Sequence, residues 1–201
     1  TIDAMVDPPV GERDLRICDE CNMYSKPRKF TIYYIVVLLV INHISYRTTW
    51  RCPACMRGDA WKMLFGNLIF VIGVPIAITQ LIRSYGGSVA GGPFKGLDAA
   101  NLQARKGNLM GALEGYRAIL DRVPHSAGVK YNLGRALLEQ AETARAAETF
   151  QLALDDCSNY VPAYHLLTTW YEQLGETDKL AELKQMWEER EDEDEPEPAE
   201  A

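Results

Sequence analysis

Apolar residues are grouped along this chain in three different ways, and each grouping predicts a different structure. Positions 30–41 are dense in Ile, Val and Tyr, and the polar pair Asn42-His43 separates them from a second such run at 44–50. β-Branched and aromatic residues on both sides of a short polar break are typical of two strands and a turn. We therefore predict a β-hairpin here, with its turn at Asn42-His43.

The second grouping is a run of 19 residues without a charge, at positions 64–82. At about 1.5 Å per residue, a helix of this length barely crosses a hydrocarbon core of about 30 Å. Aromatic and basic residues, which favour bilayer interfaces, flank the run: Trp61, Lys62, Arg83 and Tyr85. We predict a transmembrane helix at 63–83. Gly73 and Pro75 leave a re-entrant hairpin open, and a buried core helix is the remaining alternative.

The third grouping covers residues 97–190 and repeats every 34 positions. Small or apolar residues recur in register: Gly107, Ala141 and Gly175; Ala100, Gly134 and Thr168; Ala112, Ala146 and Leu180. Small residues let paired helices approach closely, while larger ones such as Tyr116 and Phe150 fill the holes between neighbouring units. The period predicts an all-α solenoid of about three helix pairs.

These positions resemble the tetratricopeptide repeat (TPR) family. Its pattern is matched by Gly107-Asn108-Leu109, Asn132-Leu133-Gly134 and Leu174-Gly175-Glu176. Two positions depart from the family pattern, since Ser158 replaces a closing proline and Lys184 stands at an aromatic site. The resemblance implies a concave groove, lined by the first helices, that holds an extended or helical peptide. The groove-facing candidates for partner binding are Asn101, Ala104, Arg105, Tyr131, Asn132, Arg135, Leu138, His165, Thr169 and Glu172.

Four of the five cysteines form two C-x-x-C pairs, Cys18/Cys21 and Cys52/Cys55, with 30 residues between them. Two such pairs offer four thiolates, which complete a tetrahedral shell for one structural Zn²⁺. With the predicted hairpin between the pairs, residues 15–58 resemble a zinc ribbon. All four ligand positions are cysteines, so no position is left for water, which argues for structure rather than catalysis.

Disulfides or a redox dithiol are the alternative use of these cysteines. A redox C-x-x-C normally opens a helix, whereas Pro53 and the strand-like residues before it favour a metal-binding turn. His43 is a further candidate ligand, but four thiolates already suffice. Cys157 lies in the helical region and is interpreted as a packed or partly exposed thiol.

A shared metal ion restricts how the chain can meet a membrane. A span between the two cysteine pairs would place them on opposite bilayer faces, where one ion could not join them. The run at 30–44 is also only about 15 residues long, short of the roughly 20 that a spanning helix needs, so we assign it to strands. A looser resemblance is to the LITAF-like zinc domain, whose apolar segment dips into one leaflet and returns.

Charge divides the chain as well: residues 1–96 carry a net charge of +4 and residues 97–201 a net charge of −11. Basic residues are more frequent before the uncharged run than after it, so the positive-inside bias places the zinc module in the cytoplasm. A reducing compartment also suits thiolate–zinc bonds. A single span then places the repeats on the opposite side, whereas a re-entrant anchor keeps them on the same side.

Together these patterns predict a multi-part chain with a small β zinc ribbon, one transmembrane or anchor helix and an all-α TPR solenoid. The sections are a disordered lead (1–14), a zinc-ribbon-like module (15–58), a transmembrane helix (63–83), a Gly-rich linker (84–96), a TPR domain (97–190) and an acidic disordered tail (191–201).

The function expected from this organisation is a membrane-anchored protein-binding scaffold or an accessory subunit of a larger membrane complex. The sequence shows no nucleophile–base pair, phosphate-binding loop or acidic metal cluster, so we do not expect an enzyme. Thiol–disulfide exchange by the cysteine pairs and nucleic-acid binding by the ribbon are the alternatives. The acidic second half and the tether weigh against nucleic acid.

Overall fold

The computed structural model describes residues 15–37, 42–67, 74–86 and 90–194. Within them, two antiparallel strand pairs precede eight α-helices. The boundary between two compact units falls between Arg122 and Val123. The predicted lead (1–14), the centre of the uncharged run (68–73) and the last positions of the acidic tail (195–201) lie outside the described residues.

The first unit begins with the strands that connect the two cysteine pairs. Strand β1 (Arg16–Ile17) pairs with β2 (Tyr24–Ser25), and the longer β3 (Arg28–Val37) pairs with β4 (Asn42–Arg51). Both pairs are antiparallel, and Arg28 lies opposite Arg51 at the base of the longer one. The predicted β-hairpin is confirmed, and it returns the chain from the first cysteine pair to the second.

The polar pair Asn42-His43 lies in β4 and does not form the turn. Asn42 pairs with Val37 and His43 pairs with Val36, so the predicted turn position was wrong. A two-stranded antiparallel ribbon accepts polar residues within a strand because neither face has to be fully buried. Positions 38–41, outside the described residues, hold only Leu, Val and Ile and carry no turn signal in the sequence.

Two helices, α1 (Pro53–Asn67) and α2 (Val74–Tyr85), follow the ribbon and pack against each other. The Arg57 guanidinium, near the start of α1, lies 5.4 Å from the ring centroid of Tyr85 at the end of α2. The two helices therefore run antiparallel. Of positions 63–83, predicted as one helix, 63–67 lie in α1 and 74–83 lie in α2, while 68–73 are outside the described residues.

Pro75 is the second described residue of α2. A proline near the start of a helix costs no hydrogen bond, whereas one inside a longer helix breaks one. Among the helices of the described ranges, none combines the length and apolar character needed to cross a bilayer.

Helices α3 (Leu97–Arg105) and α4 (Leu109–Leu120) pack together and complete the first unit. A single 3₁₀ turn at Gly92–Phe94 precedes them. Phe94 is buried, and the Arg122 guanidinium donates to the carbonyl oxygens of Pro93 and Lys95 at 3.1 and 2.6 Å. This part of the predicted Gly-rich linker is therefore packed into the unit.

The second unit contains α5 (Ala127–Glu139), α6 (Thr143–Asp156), α7 (Val161–Leu174) and α8 (Thr177–Asp194), each packed against the next. Its core is formed by apolar side chains with little or no exposed surface: Val129, Ala146, Phe150, Ala153, Leu154, Ala163, Leu167 and Leu183. The last helix extends into the predicted acidic tail and ends at Asp194.

The helix boundaries follow the predicted 34-residue period. The second helices of the three pairs begin at Leu109, Thr143 and Thr177. The residue two positions before each start has a positive φ in every case: 77° at Gly107, 60° at Ala141 and 70° at Gly175. A left-handed residue therefore closes each first helix, as is common at helix C-termini.

Candidate metal centre

The first cysteine pair lies in a tight turn between β1 and β2. The backbone N–H of Cys18 donates to the carbonyl of Met23 at 3.0 Å, and the Asn22 N–H donates to the carbonyl of Cys18 at 2.9 Å. Asn22 adopts a left-handed conformation with φ 52°, which asparagine accepts more readily than most residues. The turn directs the thiols of Cys18 and Cys21 to one place.

The second pair lies at the start of a helix, which differs from the predicted ribbon. Cys52 directly precedes α1, Pro53 is the first helical residue, and Cys55 lies in the first turn. The sequence predicts a metal-binding turn here and does not reveal the helix, because Pro53 was interpreted as a turn residue. Proline is equally favoured at the first position of a helix, where its fixed φ suits helical geometry.

The tertiary structure brings the four thiols into one cluster. The Sγ atoms of Cys18, Cys21, Cys52 and Cys55 all lie within 4.8 Å of one another, and those of Cys21 and Cys52 are 3.9 Å apart. Sulfurs bound at about 2.3 Å to one tetrahedral ion lie roughly 3.8 Å apart. The spacing therefore fits a single metal ion bound by four sulfurs.

Backbone N–H groups point at the sulfurs and favour their charged form. The Cys52 N–H lies 3.3 Å from Cys18 Sγ, and the Cys55 N–H lies 3.5 Å from Cys52 Sγ. Both donors belong to the start of α1, where the helix dipole also favours negative charge. Cys18, Cys52 and Cys55 are buried, so few water molecules compete for these sulfurs.

The four thiols also perturb one another's protonation. Hydrogen bonds from its neighbours, that of Cys21 first, hold the pKa of Cys18 well below its usual value. The hydrogen bond with Cys18 raises the pKa of Cys52 and also that of Cys55. Sulfurs this close cannot all be charged without a cation among them, so four thiolates coexist here only around a metal ion.

Arg51, the residue before Cys52, connects the elements that hold the ligands. Its buried guanidinium pairs with Glu20 at 3.1 Å and with Asp59, while its Nε donates to Thr49 at 2.9 Å. Glu20 lies between the first two cysteines and Asp59 lies on α1. Sequence reasoning did not identify this arginine, because a basic residue on a strand is usually exposed.

The predicted partner-binding residues differ in their exposure. Asn101, Tyr131 and Asn132 are buried, whereas Arg105 and His165 are exposed. Arg135 is partly exposed, and its guanidinium lies 5.9 Å from the ring centroid of Tyr131. The structure thus places only part of this set where a partner could reach it.

Asn101 has a structural use within the first unit. Its Nδ2 donates to the carbonyl of Tyr24 at 2.9 Å, and its Oδ1 accepts from the Tyr116 hydroxyl at 2.8 Å. Tyr24 belongs to β2, beside the first cysteine pair. The amide therefore links α3 and α4 to the strands of the candidate metal site.

The second unit contains an apolar depression of about 220 Å³ between α5, α6 and α7. It is lined by Leu138, Ala147, Phe150, Leu166, Thr169, Trp170 and Gln173. Leu138 and Thr169 are among the predicted groove residues, whereas Leu166 and Trp170 were missed. Both side chains are partly exposed, and their exposure depends on how α6 and α7 pack.

Comparison with protein-family models and with curated proteins finds no match for this chain. The structure itself is that of a mostly helical protein with a small β module and a four-cysteine cluster suited to one metal ion. Membership of the TPR family therefore stays a prediction.

Proposed function

We propose that this chain is a non-enzymatic, membrane-attached scaffold that recruits a protein partner through its second unit. One structural Zn²⁺ stabilises the first unit, apolar residues of α1 and α2 attach the chain to a bilayer, and the TPR-like helices α5–α8 bind a peptide. The main support is the apolar depression between α5, α6 and α7, since partly exposed apolar side chains grouped in one place are a common protein-interaction surface.

Zinc is the proposed metal because a closed set of four thiolates is a common structural zinc site and leaves no position for substrate. Metal analysis of the purified chain should find one zinc ion per molecule, with the four ligand thiols unreactive until a chelator is added. Thiol–disulfide exchange is the alternative. It would be favoured by a metal-free chain in which mild oxidant joins Cys18 to Cys21 or Cys52 to Cys55.

Charge indicates the chemistry of the partner. After Arg122 the sequence holds 18 acidic and 6 basic residues, a net charge of −12. Such a surface attracts basic segments and repels acidic ones. We propose that the partner offers a basic segment with one large apolar side chain, which enters the depression beside Leu166 and Trp170.

Selection of random peptides on the full, metal-loaded chain tests this proposal. We expect enriched peptides to be basic with one large apolar residue. Their affinity should fall at least about tenfold in Leu166→Glu, because a carboxylate then borders the apolar depression. A tenfold loss corresponds to roughly 1.4 kcal/mol of binding free energy. Leu152→Glu is the matched control, because Leu152 lies on α6, is 51% exposed and does not line the depression.

Two results would contradict this function. In the first, every selected peptide binds the chain no more tightly than a peptide of the same composition in scrambled order. In the second, a selected peptide binds Leu166→Glu and Leu152→Glu equally well, which would place its site elsewhere. A third result would favour an accessory subunit of a membrane complex over a free scaffold. In this result, an integral membrane protein co-purifies with the chain in mild detergent at a fixed ratio.

A further inference from the structure

The two ends of the α1–α2 hairpin meet near the cysteine cluster. Arg57 stacks on Tyr85, and the Arg28 guanidinium donates to the carbonyl of Arg83 at 3.1 Å. Arg28 begins β3, opposite Arg51 and hence close to Cys52. The chain therefore enters α1 and leaves α2 at the same end of the hairpin.

The residues after the hairpin return to the strands before it. Asn101 donates to the carbonyl of Tyr24 at 2.9 Å and is only 5% exposed. A bilayer has a hydrocarbon core of about 30 Å, so it cannot lie between two groups that share a hydrogen bond. A transmembrane helix at 63–83 would separate Tyr24 from Asn101, and this contact is incompatible with it.

The hairpin nevertheless exposes large apolar side chains. Phe65 and Ile82 are 63% and 66% exposed, and the Trp61 ring stacks on Phe65 with a centroid distance of 5.7 Å. Exposed basic residues, Lys62 and Arg83, lie next to them in the sequence. Apolar residues with an aromatic and basic border are typical of a surface that enters a membrane containing anionic lipids.

The uncharged part of α2 is short enough to lie within one leaflet. It runs from Val74 to Ile82, is nine residues long and rises about 13 Å at 1.5 Å per residue. This length is a little less than half of a hydrocarbon core of about 30 Å.

We propose that the α1–α2 hairpin enters one leaflet of an anionic bilayer and returns to the face from which it came. The cysteine site and helices α3 and α4 then lie on the same side of the membrane. This inference deepens the proposed function and rests on its membrane attachment. It replaces the single span, which puts the segments before and after the hairpin on opposite sides.

Labelling of sealed vesicles from cells that express the full chain tests the topology. Lys29→Cys and Lys106→Cys place reporter thiols before and after the hairpin, both in exposed positions, in a Cys157→Ser background. We expect a membrane-impermeant maleimide to label both reporters to the same extent, whether high or low, and to label both fully after detergent. Opposite accessibility of the two reporters would overturn the inference.

Flotation of the purified, metal-loaded chain with vesicles of neutral lipid, with or without phosphatidylserine, tests the lipid contact separately. We expect flotation that increases with phosphatidylserine. The paired substitution Phe65→Asp and Ile82→Asp should reduce binding at least about tenfold, since it removes two exposed apolar side chains that would be buried in the lipid. Met110→Asp is the control, because Met110 is 70% exposed but lies on α4.

The two experiments fail in different ways. A chain that does not float with either lipid has no direct membrane contact, which removes the attachment part of the proposed function as well. A chain that floats but labels with opposite accessibility keeps its membrane attachment and loses the one-leaflet topology. Equal binding by the Phe65/Ile82 variant would place the lipid contact outside the α1–α2 hairpin.

Discussion

At the residue scale, a buried amide joins the first helix pair to the cysteine module. Asn101 contacts the Tyr24 carbonyl with its donor and the Tyr116 hydroxyl with its acceptor, so each polar atom has a partner. The sequence suggested a groove residue here, because asparagine at this position of a TPR-like helix can also face a peptide. Which use applies depends on whether another element covers that face.

Asn101→Ala should destabilise the first unit by about 2–4 kcal/mol. The substitution removes both hydrogen bonds and leaves two buried polar groups without this partner, at about 1–3 kcal/mol each. Urea unfolding of the metal-loaded chain measures the effect. Gln103→Ala, at an exposed position of the same helix, is the control and should change stability by less than about 0.5 kcal/mol. Equal effects would show that the contact contributes nothing specific.

Ala141 is the one residue among Gly107, Ala141 and Gly175 that is not glycine, yet all three have a positive φ. A left-handed conformation costs an L-residue roughly 1–2 kcal/mol, because Cβ approaches the following carbonyl oxygen. Ala141→Gly should therefore stabilise the second unit by about 1 kcal/mol. Thermal unfolding measured by far-UV circular dichroism should show the gain.

Ala144→Gly is the matched control for this prediction. Ala144 is exposed and lies in the first turn of α6, where φ is helical and glycine only adds backbone freedom. This variant should lose about 0.5–1 kcal/mol. If both substitutions destabilise, the conformation at Ala141 is not strained.

At the element scale, close approach of helices depends on glycine at particular positions. A Cβ added at Gly134 on α5 would lie 2.6 Å from a ring carbon of Phe150 on α6. Both positions were predicted from the repeat, as a small-residue site and an aromatic site. The contact between them supplies the physical reason for that pattern, since the ring packs directly on the glycine backbone.

Gly134→Ala should destabilise the second unit by about 1–2 kcal/mol, although alanine favours helix by about 1 kcal/mol. Overpacking against Phe150 outweighs the gain in propensity because the ring is buried and has little room to move. Gly58→Ala on α1 is the comparison, since no atom lies within 4 Å of the added Cβ. That variant should be neutral or stabilising, so a loss at both positions would argue against the packing explanation.

At the scale of the whole molecule, the chain consists of two units that should respond differently to metal removal. Among the described residues, four helices belong to the unit that contains the cysteine site, and four belong to the unit after Arg122. Metal binding to four thiolates contributes folding free energy only to the unit that holds the site. The two units should therefore unfold in separate steps.

A strong chelator should abolish about half of the helical signal and leave α5–α8 folded. Cys52→Ser should have the same effect without chelator, and Cys157→Ser should have none, because Cys157 lies outside the cluster. Far-UV circular dichroism with limited proteolysis would identify the remaining fragment, which should begin near Val123. Loss of all helicity, or of none, would contradict this division.

Much of the candidate metal site could be predicted from the sequence, because C-x-x-C spacing is local and its chemistry belongs to the residues themselves. The returning hairpin followed from the need to bring Cys18 and Cys52 to one ion. The placement of the second pair at the start of α1 was missed, because proline is compatible with both a turn and a first helical position. The Arg51 contacts had no local signal at all.

Local sequence patterns were sufficient to predict the elements and the ligands: the strands between the cysteines, the 34-residue period of the helix pairs and the four thiols. These features depend on neighbouring residues and on short repeats, so local physics is sufficient to predict them. Three features depend on tertiary packing: the two ends of the uncharged run lie in antiparallel helices, Asn101 is buried against Tyr24, and Leu166 and Trp170 border a depression. Each of these features depends on contacts between residues far apart in sequence, and those contacts form only when the elements pack together.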